Sequence, residues 1–169
     1  MKKILKYILC ITTIVIVLTV LHFRLENQKV IYAATTQGNR ASDLQLLARA
    51  INGEARGESY EGQVAVGAVI LNRVKSSKFP NSIAGVIYQP GAFTAVSDGQ
   101  INTPIDSSST VVKAAQDALN GWDPTYGAIY YFNPKTATNK WIWSRPVTVV
   151  IGNHRFCKWF WGRRKKSVN

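Results

Sequence analysis

Residues 62–74 read GQVAVGAVILNRV, and the fold turns on how they are read. The run is apolar on nearly every face of a helical wheel and rich in Gly and Ala. A helix of that kind is central, with neighbours packed close on several sides. Ser59 stands where an N-cap belongs, with Glu61 in the first turn. Upstream, Leu44, Leu47, Ala48, Ile51 and Ala55 recur at helical spacing. Ser42 with Gln45 reads as a capping box that opens this helix, with Asp43 in its first turn. Gly53 and Gly57 weaken its end. Downstream, FPNS (79–82) is a turn and a cap, and a short helix over 82–89 stops at Pro90-Gly91. Residues 91–104 are a Gly/Ser/Asp-rich loop. Residues 107–121 carry serine caps, a stripe of Val111, Val112, Ala115, Ala118 and Leu119, and Gly121 at the C′ position.

After GWDP (121–124) the character changes. AIYYF (128–132) and VTVVI (147–151) are β-branched and aromatic, and so strand-like. NPKTATNK (133–140) is turn chemistry. Eleven of the eighteen aromatics fall between Trp122 and Trp161. The expected class is α+β, a single domain with a helical first part followed by a small antiparallel sheet or hairpin. Tyr131 and Asn133 share one face of the strand and turn, while Tyr130 and Phe132 share the other. Phe132, Phe156 and Trp143 are expected in the core.

The chain has 169 residues, with 21 Lys and Arg against 9 Asp and Glu, a net charge of +12. Nine of those twelve charges lie in residues 1–40 and 159–169. The middle is an ordinary, mildly basic domain without the basic stripe of a nucleic-acid footprint, so no nucleic-acid partner is expected. Lys2, Lys3 and Lys6 precede an apolar run from about Tyr7 to Leu21. Residues 1–34 therefore read as a signal peptide, with a possible cleavage point at Ala33-Ala34, or as an N-terminal membrane anchor. Either places the rest outside the cytoplasm, because the lysines stay inside. Residues 35–41 are a polar linker and 42–158 the folded domain. Residues 159–169 form a basic aromatic tail. It suits an anionic membrane or wall polymer, or is simply a solubilising extension.

The side-chain inventory restricts the chemistry. Past the leader there is one histidine, His154, and one cysteine, Cys157. A catalytic zinc usually takes three protein ligands, so neither metal nor cofactor is expected. A Cys–His nucleophile lacks a helix N-terminus to lower the thiol pKa. A G-x-S-x-G elbow and a phosphate-cradling Gly loop are absent. Carboxylates remain. Asp43 and Glu61 read as helix-start charges, Asp117 as solvated, and Asp123 as a turn former. Glu54 falls at the edge of an apolar stripe, where an acid is half sheltered. Burial favours the protonated form that a proton donor needs. An acid beside an aromatic-rich wall is the chemistry of glycoside cleavage.

The stretches from ARAINGEARGE through GQVAVGAVILNRV, with GWDP, YYFNP and IGNHRF, together resemble the catalytic domain of the spore cortex-lytic enzymes, the SleB/CwlJ cell wall hydrolase family. The resemblance covers residues 42–157. It implies a lysozyme-like fold and cleavage of the MurNAc–GlcNAc bond of peptidoglycan by a lytic transglycosylase. It implies Glu54, the first Glu of EARGE, as the acid/base. Some relatives carry amidase names, so an N-acetylmuramoyl-L-alanine amidase is the alternative enzyme. A non-catalytic wall-binding module is the alternative class. Cortex-lytic relatives often carry a peptidoglycan-binding domain ahead of the catalytic one. Here a leader and linker occupy that place, which leaves vegetative wall and spore cortex both open. Phe93, Tyr130, Tyr131, Asn133 and Trp141 are the expected substrate-binding residues. Asn72 and Arg73 either orient Glu54 or only pack. Glu58 reads as a partner acid, which a hydrolase needs roughly 5–9.5 Å away, or, more simply, as an ion-pair partner of Arg56 or Arg73.

Overall fold

The computed structural model describes residues 2–159. The tail residues 160–169 lie outside the described residues. The chain divides into two compact units, 1–41 and 42–169. Helix α1 is assigned over Lys2–Ala55. In the first unit Ile16, Val17 and Phe23 are exposed, and Lys29 pairs with Glu26 one turn away at 2.9 Å. Among the described residues, no helix is long and apolar enough to cross a membrane.

The second unit is built around α2 (Tyr60–Lys75), in which all of residues 62–70 are buried. Ser59 caps it, its hydroxyl accepting from the Gly62 N–H at 3.2 Å. Gly67 explains how neighbours crowd α2 on two sides. A Cβ there would meet Ile51 Cδ1 at 3.0 Å and Ala118 Cβ at 3.1 Å. The last turns of α1 and the helix α5 (Thr110–Leu119) can therefore both lie against it. Short helices α3 (Ile83–Ile87) and α4 (Thr94–Ser97), and a 3-10 turn (Gln100–Asn102), close the main core. That core gathers Leu47, Ile51, Val66, Ile70, Val86, Ile87 and Phe93.

The sheet has the order β1-β3-β2, all antiparallel, from β1 (Tyr130–Phe132), β2 (Val147–Ile151) and β3 (His154–Cys157). Tyr131 stands opposite Phe156, and Ile151 opposite His154. One face carries Phe156 and Ile151 against Ala65 and Val69 of α2. The other carries Phe132 and Cys157 against Ile142 of α6 (Lys140–Trp143). Both faces are packed, so the β1 pair Tyr130 and Tyr131 parts to opposite sides as strand alternation requires. The ladder is irregular between Val147 and Val149. The intervening Thr148 turns its hydroxyl to the Thr125 and Phe156 carbonyls, at 2.8 and 3.2 Å. Gly121, at φ 105°, follows the Asn120 C-cap of α5 as its spacing predicts.

The α+β class and the helix-then-sheet order are as the sequence suggests, with local corrections. The helix carrying Leu47 does not begin at Ser42, because α1 runs through residues 42–45. That leaves no cap there, and Asp43 is not a first-turn charge. Ser109 occupies the N-cap position of α5 without making a cap bond, because its hydroxyl is buried and unpartnered. Trp143 is 47% exposed rather than core. It covers Phe132 edge-on at 5.0 Å, while Ile142 takes the inward position on α6. The loop over 91–104 contains α4 and the 3-10 turn, and HRFC forms a third strand.

Gly53 supports a prediction. A Cβ on it would collide with the Ala95 side chain of α4. Helix propensity alone favours alanine by about 1 kcal/mol, whereas overpacking costs about 1–3 kcal/mol. Gly53→Ala should therefore lower the melting temperature in a circular-dichroism melt. An unchanged or raised value contradicts the close approach of α1 and α4.

Candidate active site

Glu54 lies in the last turn of α1 and is half-buried. Its Oε1 accepts from the backbone N–H groups of Thr94 (2.9 Å) and Ala95 (3.4 Å). These are the first two residues of α4, whose N-cap residue is Phe93 and whose N-terminus has no side-chain cap of its own. The first N–H groups of a helix need an acceptor from outside the helix. Phenylalanine cannot supply one, so a carboxylate from forty residues away takes that place, with its charge at the favourable end of the peptide dipoles. The other oxygen, Oε2, accepts from the Tyr131 hydroxyl at 3.1 Å.

Tyr131 is held in turn. Its ring meets His154 edge-on at 5.2 Å and leans on Phe156 at 5.9 Å. Burial, and after it the nearby Glu54 charge, push the phenol well above its usual pKa, against the pull of Arg73. It therefore stays protonated and able to donate. Arg73, near the end of α2, donates from Nε to the Ile129 carbonyl at 2.8 Å. Its guanidinium lies over Phe79, Phe93 and Tyr130 at 5.3, 5.4 and 5.9 Å. Burial lowers its pKa, and the fields of Tyr131, Tyr130 and Glu54 oppose that. Arg73 is thus an electrostatic neighbour of Glu54, not a bonded one. Asn72 does not reach Glu54. It donates to Asp123 Oδ2 at 2.9 Å and to the Ala128 carbonyl at 3.1 Å. Asp123 also accepts from Thr125 and Gly127, which makes it the turn former its sequence context suggests.

Glu58 corrects the ion-pair expectation. Arg56 instead donates to Gln100, and Arg73 is engaged as above. Glu58 reaches the two-residue turn between β2 and β3. Its Oε2 accepts from the Asn153 N–H at 3.1 Å and its Oε1 from the Asn153 amide at 3.0 Å. His154 Nδ1 stands 3.8 Å from Oε1. Gly152, the first residue of that turn, has φ 56°, and a Cβ there would strike the Glu58 carboxylate. Glycine is needed on both counts. Burial raises the Glu58 pKa, but the Asn153 side-chain and backbone bonds and the His154 charge outweigh it and leave it lowered. Burial likewise lowers His154, against Glu58 and Glu54.

The remaining expected residues separate. Phe93 is 3% exposed and packed in the main core, so its ring face is closed to a sugar. Asn133 is half-buried and accepts from the Lys135 N–H at 2.9 Å, as a turn former does. Tyr130 and Trp141 meet edge-on at 5.1 Å on the other side of the sheet from Tyr131. His154 and Cys157 are three apart in β3 and face opposite sides. The thiol, buried, is pushed up to about 11, so the pair is no thiolate nucleophile. Among the described residues, no group of three or more His, Cys, Asp or Glu stands as a metal-binding cluster. Thr94, Ala95 and Asn153 carry contacts of the site without any local mark in the sequence, and His154 stands out there beside Cys157 rather than beside Glu58. The Gly-Asn dipeptide directly after VTVVI was the available hairpin signal.

A model of the cell wall hydrolase family matches residues 57–157, beginning just after Glu54. The spore cortex-lytic enzyme of Bacillus cereus is 60% identical over 121 residues, which are 72% of this chain and 46% of that protein. The chain thus spans about half the length of that relative. Two solved structures are similar. The catalytic domain of the Bacillus cereus SleB protein has a TM-score of 0.65 and 62% identity, over 69% of this chain and 89% of that one. The catalytic domain of germination-specific lytic transglycosylase SleB from Bacillus anthracis has a TM-score of 0.66 and 61% identity, over 69% and 93%. The resemblance read from the sequence, and the lysozyme-like α+β class it implied, stand on these likenesses.

Two predictions follow from the geometry. Tyr131→Phe removes the hydroxyl that positions Glu54 Oε2. A hydrogen bond to a charged group contributes about 1.5–3 kcal/mol, so any turnover that depends on Glu54 should fall roughly ten- to hundredfold with KM little changed. A rise in KM at constant turnover would show that the hydroxyl only serves binding. His154 gives a pH signature. Its folded pKa lies below the ordinary 6.5, so the unfolded chain takes up more protons as the pH falls below that value. Stability is then full above about pH 6.5 and declines below it, with Glu58 adding to the decline below its ordinary 4.5. His154→Gln should flatten the plot of melting temperature against pH between those values.

Proposed function

The chain belongs to the cell wall hydrolase family, and from that premise we propose that it is a peptidoglycan-cleaving lytic transglycosylase with Glu54 as its single acid/base. The observation that carries the reading is the bonding of the two carboxylates. Glu54 has one oxygen tied to backbone N–H groups and the other to a hydroxyl. Glu58 is committed to Asn153.

The two Glu54 oxygens are not equivalent. Backbone N–H groups can only donate, so Oε1 always accepts. A hydroxyl can donate or accept, so the Tyr131 side is the one that tolerates a carboxyl proton. The proton is therefore carried on Oε2. Oε2–H protonates the bridging oxygen as its bond to C1 of the muramic residue breaks. The ionised carboxylate then takes the proton of the C6 hydroxyl of the same sugar, and that oxygen bonds to C1. The products are a 1,6-anhydro end and a free hydroxyl on the departing strand, and Glu54 regains its proton. Because the nucleophile is tethered within the substrate, no second carboxylate is required to activate water. Glu58 holds the β2–β3 turn under His154, and His154 supports the Tyr131 ring.

The names of the relatives support cortex peptidoglycan as the material acted on and a site of action outside the cytoplasm. In this reading residues 1–34 are the export signal, 35–41 the linker, 42–158 the catalytic domain and 159–169 the basic tail.

Digestion of purified peptidoglycan followed by mass spectrometry tests the reading. Anhydro-muropeptides are expected, and Glu54→Gln should reduce their release by about a thousandfold or more, since general acid and base steps each contribute roughly 10²–10⁴. Reducing ends would mean a muramidase, freed stem peptides an amidase, and an intact suspension a binding module.

A further inference from the structure

On the side of the sheet away from Tyr131, four segments assemble an aromatic and cationic surface. Trp141 of α6 and Trp159, just after β3, lie 6.2 Å apart, with Tyr130 5.1 and 6.4 Å from them. Both tryptophans are 40% exposed. The Arg145 guanidinium stands 4.4 Å from the Trp141 ring centre and 5.6 Å from that of Trp159. Lys78 Nζ stands 4.5 Å from the Trp159 ring. Among the described residues neither cation pairs with a carboxylate. Arg145 donates to Ser144 Oγ at 3.0 Å, and its buried Nε has no hydrogen-bond partner. The largely buried Arg73 lies between Tyr130 and Phe93, its guanidinium 5.9 and 5.4 Å from their ring centres.

Packing alone accounts for Tyr130, which is half-buried. It does not account for two large indoles left part-exposed beside two cations without acids. Indole faces pack against the apolar faces of sugar rings, and a guanidinium fork donates paired hydrogen bonds to a carboxylate in its own plane. We propose that Trp141, Trp159, Arg145 and Lys78 form a second glycan subsite, on the face of the sheet opposite the one that meets Glu54. It takes a strand of N-acetylated sugars whose attached peptides carry free carboxylates. The indoles hold the sugars, and the cations hold the peptide carboxylates. This inference rests on the peptidoglycan reading above, since it names how the same polymer is gripped beyond the cleaved bond.

The test uses the full chain carrying Glu54→Gln, so that the polymer stays whole, and measures co-sedimentation with purified peptidoglycan. The same material stripped of its stem peptides is the second ligand. Stripping should weaken binding of the parent about tenfold, the scale of a charged hydrogen bond. Arg145→Gln with Lys78→Gln should lose about as much on intact material and nothing more on stripped material. Trp159→Ala should lose affinity on both, and Trp159→Phe should recover part of it. Melting curves matching the parent establish that each variant is folded. The subsite is overturned if the charge variant binds intact peptidoglycan within twofold of the parent, or if stripping weakens it as much as it weakens the parent. Failure of the acid/base assignment appears separately, as anhydro products from Glu54→Gln itself.

Discussion

The carboxylate of Glu54 caps one helix with one oxygen and meets a buried hydroxyl with the other, and most of the candidate site follows from that double use. Helix α4 has only four residues, and its N-cap position is filled by Phe93, which turns inward to the core. The N–H groups of Thr94 and Ala95 would otherwise face outward unsatisfied. Glu54 satisfies them and is itself held by them, so the last turn of α1 and the start of α4 define each other. Gly53 is the complement of this arrangement, because only a residue without a side chain lets Ala95 come so close. The acid is positioned by backbone groups that cannot change their hydrogen-bonding sense, and by one hydroxyl that can.

The architecture was readable wherever the signal is local. The all-round apolar character of 62–74, the Ser59 cap, the Gly121 terminator and the two β-branched runs each speak about their own neighbourhood. The site was readable only in part. Glu54 stands out by its place on the apolar stripe, whereas strand alternation parts Tyr131 from Tyr130 without saying which of them meets the acid. What holds them is remote in sequence. The α4 cap lies forty residues from Glu54, and the partners of Glu58 lie ninety-five residues away. A nearby arginine is the natural guess for a glutamate in EARGE, and only the tertiary fold shows that the turn of a hairpin wins. The same holds for Phe93 and Trp143. Aromatic character says that a ring will be packed or used, but not which face of a four-residue element it occupies.

The far turn of the sheet matters to the acid although it does not touch it. Glu58 and Asn153 fasten the β2–β3 turn, which sets His154 against the Tyr131 ring, and Tyr131 bonds Glu54. These contacts link the end of α1 to the sheet by a second route besides the packed core. Low local polarity makes such a chain worth more when every member is satisfied. His154 is its loosest member, with Nδ1 buried and lacking a hydrogen bond.

Strand β1 is only three residues long, yet it sends adjacent tyrosines to opposite territories. It is pinned by Arg73 at Ile129 and by the Ile129 N–H on the Cys157 carbonyl. The two surfaces therefore share a backbone. On the subsite proposed above, altering one side of this thin partition would retune how firmly the molecule clings to glycan. The Glu54 side could stay as it is, so adhesion and turnover would become separately adjustable traits of one small sheet.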